Sequence, residues 1–135
     1  MRALIASAVI ESVPAPVVLA ATDPAQPYGA GLSWPESPGR PARSAGALVV
    51  LVQGLPMVWF DRRSHHLVTF PGSDTELAGT VGWAEALALM VKDGRARKLE
   101  VRKVNGGALD PASPWAMQLI RAGFVASYRG LALHG

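Results

Sequence analysis

A chain of 135 residues is long enough for one ordinary domain and too short for two, and with half of its residues apolar it can fill a core. The absence of cysteine excludes disulfide scaffolds, thiol catalysis and thiolate metal sites, and it fits a reducing, cytoplasmic setting. A formal charge of +3 permits contact with nucleic acid without demanding it, and a charged fraction of only 17% points to a surface that packs in part against something else.

Met1-Arg2 followed by the apolar stretch from Ala3 to Ile10 has the superficial look of a signal peptide. Glu11, Pro14 and Pro16 cut it short, so a first strand or packing segment is the expectation. No run approaches the ~18 apolar residues of a membrane span, and no membrane partner is expected. Val17 to Ala21 has the length of a buried strand, ended by Thr22-Asp23-Pro24. Residues 23–46 carry Pro24, Pro27, Pro35, Pro38 and Pro41 with four glycines, and read as one long loop. Tyr28 and Trp34 make it too apolar for a linker, so it is expected to pack on the sheet.

Ala47 to Val52 is the strongest strand signal. A turn at Gln53-Gly54-Leu55-Pro56 and a return through Met57 to Phe60 predict a hairpin. Asp61 to His66 reads as a polar turn, and Leu67 to Phe70 as a third strand stopped by Pro71-Gly72. Ser73 and Glu76 have capping-box spacing. Leu77, Val81, Ala84, Ala88 and Val91 then recur on one face of a helix spanning about 74–93, with Gly94 as its stop.

Residues 98–104 alternate as a strand with one solvated face, and Asn105-Gly106-Gly107 make a turn. Ser113-Pro114 opens a second helix to about residue 122, with Trp115, Leu119 and Ile120 expected inward and Gly123 as terminator. Residues 124–128 and 131–133 close the chain as a strand or hairpin. This order predicts an α+β fold, a mostly antiparallel, barrel-like sheet with two helices, in a single accessory domain spanning residues 1–135.

The chemistry-bearing motifs are few. There is no Gly-x-x-x-x-Gly-Lys phosphate loop, so the chain is no ATP-driven motor by itself. Gly29-Ala30-Gly31 lies in the loop with no helix behind it and is no dinucleotide fingerprint. His65-His66 would point to opposite sides of an extended segment, which ill suits a shared metal, so neither metal nor cofactor is expected. Asp23 and Asp110 each precede a proline, where an aspartate more often shapes a turn than works as an acid. No residue is assigned a catalytic role.

The cations remain. Arg62-Arg63 sit at a hairpin tip. Arg95, Arg97, Lys98, Arg102 and Lys103 follow the first helix with Glu100 as the lone acid, five charges against one, a net of +4. Arg40 and Arg43 add to the proline-rich loop beside Trp34. Long flexible cations suit phosphates, and the candidate nucleic-acid contacts are Arg40, Arg43, Arg62, Arg63, Arg95, Arg97 and Lys98, binding DNA weakly through its backbone.

The run Val17-Val18-Leu19-Ala20-Ala21-Thr22-Asp23-Pro24-Ala25-Gln26-Pro27-Tyr28-Gly29 resembles a segment near the C-terminus of Lhr-type (large helicase-related) DNA helicases. The same order continues with Leu32, Trp34-Pro35, Arg40-Pro41 and Ala45 through Val52, and the tail with Ala122-Gly123-Phe124 and Arg129-Gly130-Leu131. The resemblance implies a terminal, barrel-like module of a bacterial repair helicase whose motor and winged helices lie outside these residues. It implies DNA or other helicase modules as partners. The family's C-terminal region is also similar to DNA glycosylases, but no catalytic residue of that activity maps onto this sequence. Two other readings stand beside this one: a scaffold domain without DNA contact, and a small hydrolase using Asp23 or His66.

Overall fold

A computed structural model describes residues 16–37, 39–70 and 82–134. The N-terminal apolar stretch and the proposed capping box at Ser73 lie outside the described residues. Among the described residues, nine strands and two helices follow in the order β1 (Val17–Ala20), β2 (Ala47–Val52), β3 (Leu55–Asp61), β4 (His66–Thr69), α1 (Trp83–Lys92), β5 (Lys98–Val101), β6 (Lys103–Val104), β7 (Gly107–Ala108), α2 (Pro114–Arg121), β8 (Val125–Ala126) and β9 (Leu131–His134).

The large sheet runs β1-β2-β3-β4-β6-β7 and a small one runs β5-β9-β8. Every pairing is antiparallel except the parallel step from β4 to β6. The α+β class with mostly antiparallel strands is thus as expected. The barrel is not: among the described residues both sheets are open. The strand expected over residues 98–104 is divided between the two sheets at Arg102, which turns the chain from one layer into the other instead of closing a ring.

β2 is apolar along its length because the large sheet is covered on both faces. Leu48 and Val50, with Val58, Phe60 and Leu67, face α1, α2 and the small sheet in one core that includes Leu87, Leu119 and Phe124. The alternate residues Val49, Leu51, Trp59 and Val68 face the long loop, under Ala21, Tyr28 and Phe70. Strands buried on both faces lose the polar alternation that marks a half-solvated sheet.

The loop earns its place by specific contacts, as its aromatic content led us to expect. Tyr28 stacks on Trp34 at 5.8 Å and Trp34 on Phe70 at 5.9 Å between ring centroids. The Tyr28 hydroxyl donates to the Gly54 carbonyl (2.8 Å), and the Trp59 indole to that of Ala42 (2.8 Å). Gln26, fully buried, donates through Nε2 to the carbonyls of Ala21 (2.9 Å) and Tyr28 (3.1 Å) and accepts from the Tyr28 amide, which meets its hydrogen-bonding needs inside the fold.

The β2–β3 hairpin turns through Gln53 (φ 52°) and Gly54 (φ 80°), both in the left-handed region that a two-residue turn with the sheet's natural twist requires. Leu55 and Pro56 therefore belong to β3 rather than to the turn. Val50 pairs with Val58 and Leu51 with Pro56, so Met57 is an extra residue in a bulge, where a proline without an N–H is tolerated.

α1 is described from Trp83 onward, and the first half of the helix expected over 74–93 lies outside the described residues. Its end at Gly94 (φ 80°) is as expected. α2 opens as expected, with the Ser113 hydroxyl accepting from the Ala116 amide (3.2 Å) and Pro114 in the first turn. Leu119 points inward, but Ile120 does not: it is half exposed together with Met117, one turn away.

Candidate nucleic-acid interface

The crossing at Arg102 assembles the site. The amides of Arg102 (2.9 Å) and Lys103 (3.1 Å) both donate to the His65 carbonyl, which binds the bend to the β3–β4 turn. His65 itself adopts φ 57° and donates through Nδ1 to the Glu100 carbonyl (3.2 Å); since a carbonyl only accepts, the proton is on Nδ1. Asp61 shapes the same turn by accepting from the Arg63 amide (2.9 Å).

Along residues 98–102 alternation sends Leu99 and Val101 into the core and Lys98, Glu100 and Arg102 to the other side. That side is not fully solvated. Glu100 is buried, its Oε1 accepting from Arg102 (2.9 Å) and facing Lys98 Nζ (3.6 Å), its Oε2 accepting from the Ser127 hydroxyl (2.7 Å). The hydrogen bonds from Arg102 and Ser127 outweigh burial and hold the carboxyl down at about 2, far below the usual carboxylate range.

Ser127 also closes the turn that follows β8. Its amide donates to the Gly130 carbonyl (2.8 Å), and its hydroxyl accepts from the Gly130 amide (3.1 Å). Gly130 lies directly on the backbone of Val101 and Arg102, where a Cβ would collide with the Val101 carbonyl oxygen. This close approach fixes Tyr128 and Arg129 beside the bend.

The result is an open groove of about 610 Å³ between the β3–β4 turn, the bend, the Asn105–Gly107 turn and the 127–130 turn. Arg63, Arg102, Lys103 and Arg129 line it with no carboxylate among its lining residues. A smaller cleft beside it adds Arg62 and Lys98, and the acid it contains is the buried, fully bonded Glu100. Six cations thus line the groove and its side cleft, and the one lining carboxylate, Glu100, is paired with two of them, Arg102 and Lys98.

One floor contact depends on protonation. The Gly106 amide donates to His66 Nε2 (2.9 Å), which requires that nitrogen to be bare. Partial burial and the nearby Lys103 charge lower the His66 pKa, against a smaller opposing effect of Asp61, which favours the neutral ring that this contact requires.

No family model matches the chain. It is 46% identical, in an alignment of 126 positions that covers 87% of the chain, to a protein of Mycolicibacterium smegmatis (strain ATCC 700084 / mc(2)155) described as an Lhr helicase and probable uracil glycosylase. This chain is a relative of the Lhr-type helicases. It spans 8% of that protein's length, and the resemblance read from the Pro/Tyr/Gly segment is borne out.

In the Lhr-related fold, three of the seven cations expected to bind nucleic acid, Arg62, Arg63 and Lys98, come together at the groove and its side cleft. Arg62 spends its Nε on the Gly46 carbonyl (3.0 Å), leaving the rest of the guanidinium exposed. Arg95 and Arg97 are exposed beyond α1 and do not line the groove; Arg95 faces Asp93 at 3.5 Å. Arg40 and Arg43 belong to the long loop. Arg43 donates to the carbonyls of Gln26, Tyr28 (3.3 Å) and Asp23 (3.2 Å), as an internal staple.

Arg102, Lys103 and Arg129 enter from the structure. The first two stood in the recognised basic run; Arg129 is a lone cation in the tail, and its sequence gave no sign that it would meet residues 63 and 103. Asp23 Oδ1 accepts from the Ala25 amide (2.8 Å) and Asp110 Oδ1 from the Ala112 amide (2.9 Å), the turn-shaping roles expected of them. The bare ring nitrogen of His66 accepts from the Gly106 amide (2.9 Å).

Described residues hold no helix long and apolar enough to cross a membrane.

Proposed function

We propose that this chain is a single accessory module of an Lhr-type helicase that contacts the DNA backbone through the groove lined by Arg63, Arg102, Lys103 and Arg129. The observation that carries the reading is the convergence of six cations along the groove and its side cleft, whose one lining carboxylate, Glu100, is buried and paired with Arg102 and Lys98. Arg62, Arg63, Lys103 and Arg129 have no carboxylate partner among the described residues, and such cations attract phosphates and gain from the release of condensed counterions. The contacts position a strand and do not read its sequence. Arg62 and Lys98 extend the track, while Arg40, Arg43, Arg95 and Arg97 contribute at most to the surrounding field. The module performs no chemistry itself; a role in repair comes to it from the helicase of which it forms part.

The test is fluorescence anisotropy with labelled oligonucleotides over a series of salt concentrations. The expected affinity is about 10⁻⁴–10⁻⁶ M at physiological salt. Replacing Arg63, Lys103 and Arg129 with Ala spares Arg102, which holds Glu100. If all three meet phosphates, the slope of log affinity against log salt falls by about 2.7 on duplex, three contacts at about 0.9 each. A slope unchanged in the triple variant removes the groove from the binding surface.

A second reading has its own observation. Met117 and Ile120 are each 50% exposed on the outer side of α2, with Val125 (65%) just beyond. An apolar strip of this kind suits packing against another helicase module. Wild-type affinity in the triple variant would move the assignment to that strip.

A further inference from the structure

Tyr128 is 90% exposed, further into water than any other large apolar side chain described. An aromatic ring so placed gains little for the fold, yet the turn that carries it is firmly held. It sits in the turn closed by Ser127 and Gly130, and that turn is seated on the Val101–Arg102 backbone and bonded to Glu100. The Arg129 guanidinium lies 5.5 Å from the Tyr128 ring centroid, and Arg129 lines the basic groove. An open ring with a cation beside it, at the margin of a phosphate-attracting track, has the parts of a base-stacking platform.

We propose that Tyr128 stacks on an unpaired base of a single strand whose phosphates lie along the groove. The inference rests on the groove reading and adds a ligand class to it. A duplex hides its base faces in the stack, so Tyr128 would favour single-stranded nucleic acid over duplex. Every base has a π face, so the preference would tolerate sequence. Arg129 serves twice, as a phosphate contact and as a support for the ring.

The experiment uses the 135-residue chain as it is, with three ligands of equal length: a single-stranded oligonucleotide, its duplex, and a single strand of abasic sites. The third keeps the phosphates and removes the bases. Tyr128→Ala, at an exposed position, leaves the fold intact. It is expected to weaken binding to the single strand by roughly 5-fold or more, to leave the abasic strand and the duplex unchanged, and to leave the salt slope unchanged. Tyr128→Phe is expected to keep the affinity, because the ring and not the hydroxyl makes the stack. Salt-sensitive binding that Tyr128→Ala does not weaken, or weakens equally on all three ligands, overturns the stacking role and leaves the groove reading standing. No binding to any ligand at low salt overturns both.

Discussion

Gly130→Ala is the smallest change that should disrupt the turn holding Tyr128 and Arg129. A Cβ at this position would collide with the Val101 carbonyl oxygen, and would lie 2.9 Å from the Val101 carbonyl carbon and 3.0 Å from Arg102 Cα. All three are backbone atoms of a strand bend fixed by two hydrogen bonds to His65, so the 127–130 turn must lift instead. Overpacking of this kind costs about 1–3 kcal/mol. Lifting the turn also takes the Ser127 hydroxyl from Glu100, leaving a buried carboxylate oxygen short of a partner, for about 1–3 kcal/mol more. The middle of the combined range is about 4 kcal/mol. With an unfolding entropy of about 2.1 cal/mol/K per residue, or ~0.28 kcal/mol/K for this chain, a loss of that size lowers Tm by roughly 14 °C. The assay is thermal unfolding followed by circular dichroism, with Gly31→Ala as control, since a Cβ there meets nothing within 4 Å. A Gly130→Ala protein melting within a degree or two of wild type would refute the seating of the turn on the bend, and with it the placement of Arg129 in the groove.

Other outcomes follow from the same contacts. The Glu100 carboxyl lies at about 2 in the fold against 4.5 as its ordinary value, so its contribution is complete above about pH 4.5 and is lost as pH falls toward 2. Denaturant titrations between pH 6 and 2.5 should therefore show declining stability, with a shallower decline in Glu100→Gln; identical pH profiles would remove Glu100 as a source. Arg43→Ala takes one donor from each of three loop carbonyls; those of Asp23 and Tyr28 keep a second donor from Gln26, the Gln26 carbonyl is left without one, and the change should cost about 1–3 kcal/mol. It should speed amide exchange at Gly29 and Leu32, whose amides are bonded within the loop, while leaving the salt slope of DNA binding untouched. Unchanged exchange would mean that the aromatic stack holds the loop alone.

What the sequence determined by itself was local. Turn chemistry at Gln53-Gly54, the Ser113-Pro114 helix start and the stops at Gly94 and Gly123 rest on neighbours a few residues apart, and they were legible because backbone conformation is decided at that range. The covering of the sheet by the long loop was legible too, since Tyr28 and Trp34 had no cheap alternative to burial. The candidate site was half legible: the basic run and the Arg62-Arg63 tip announced their charge but not their arrangement. Only the tertiary structure decided which cations were free. Arg43 and Arg62 look alike in sequence, yet one is spent largely on loop carbonyls and the other stands at the groove with a guanidinium still open. Glu100 looked like a charge that would offset the basic run. Packing buried it under Arg102 and a serine 27 residues away, so its charge is used up inside the fold. Arg129 joined the groove through the contact of Gly130 with Val101, a pairing across the small sheet that no sequence spacing encodes. The two open sheets among the described residues have the same origin: a single bend at Arg102 moves the chain between layers, and its anchor is the carbonyl of His65, 37 residues earlier.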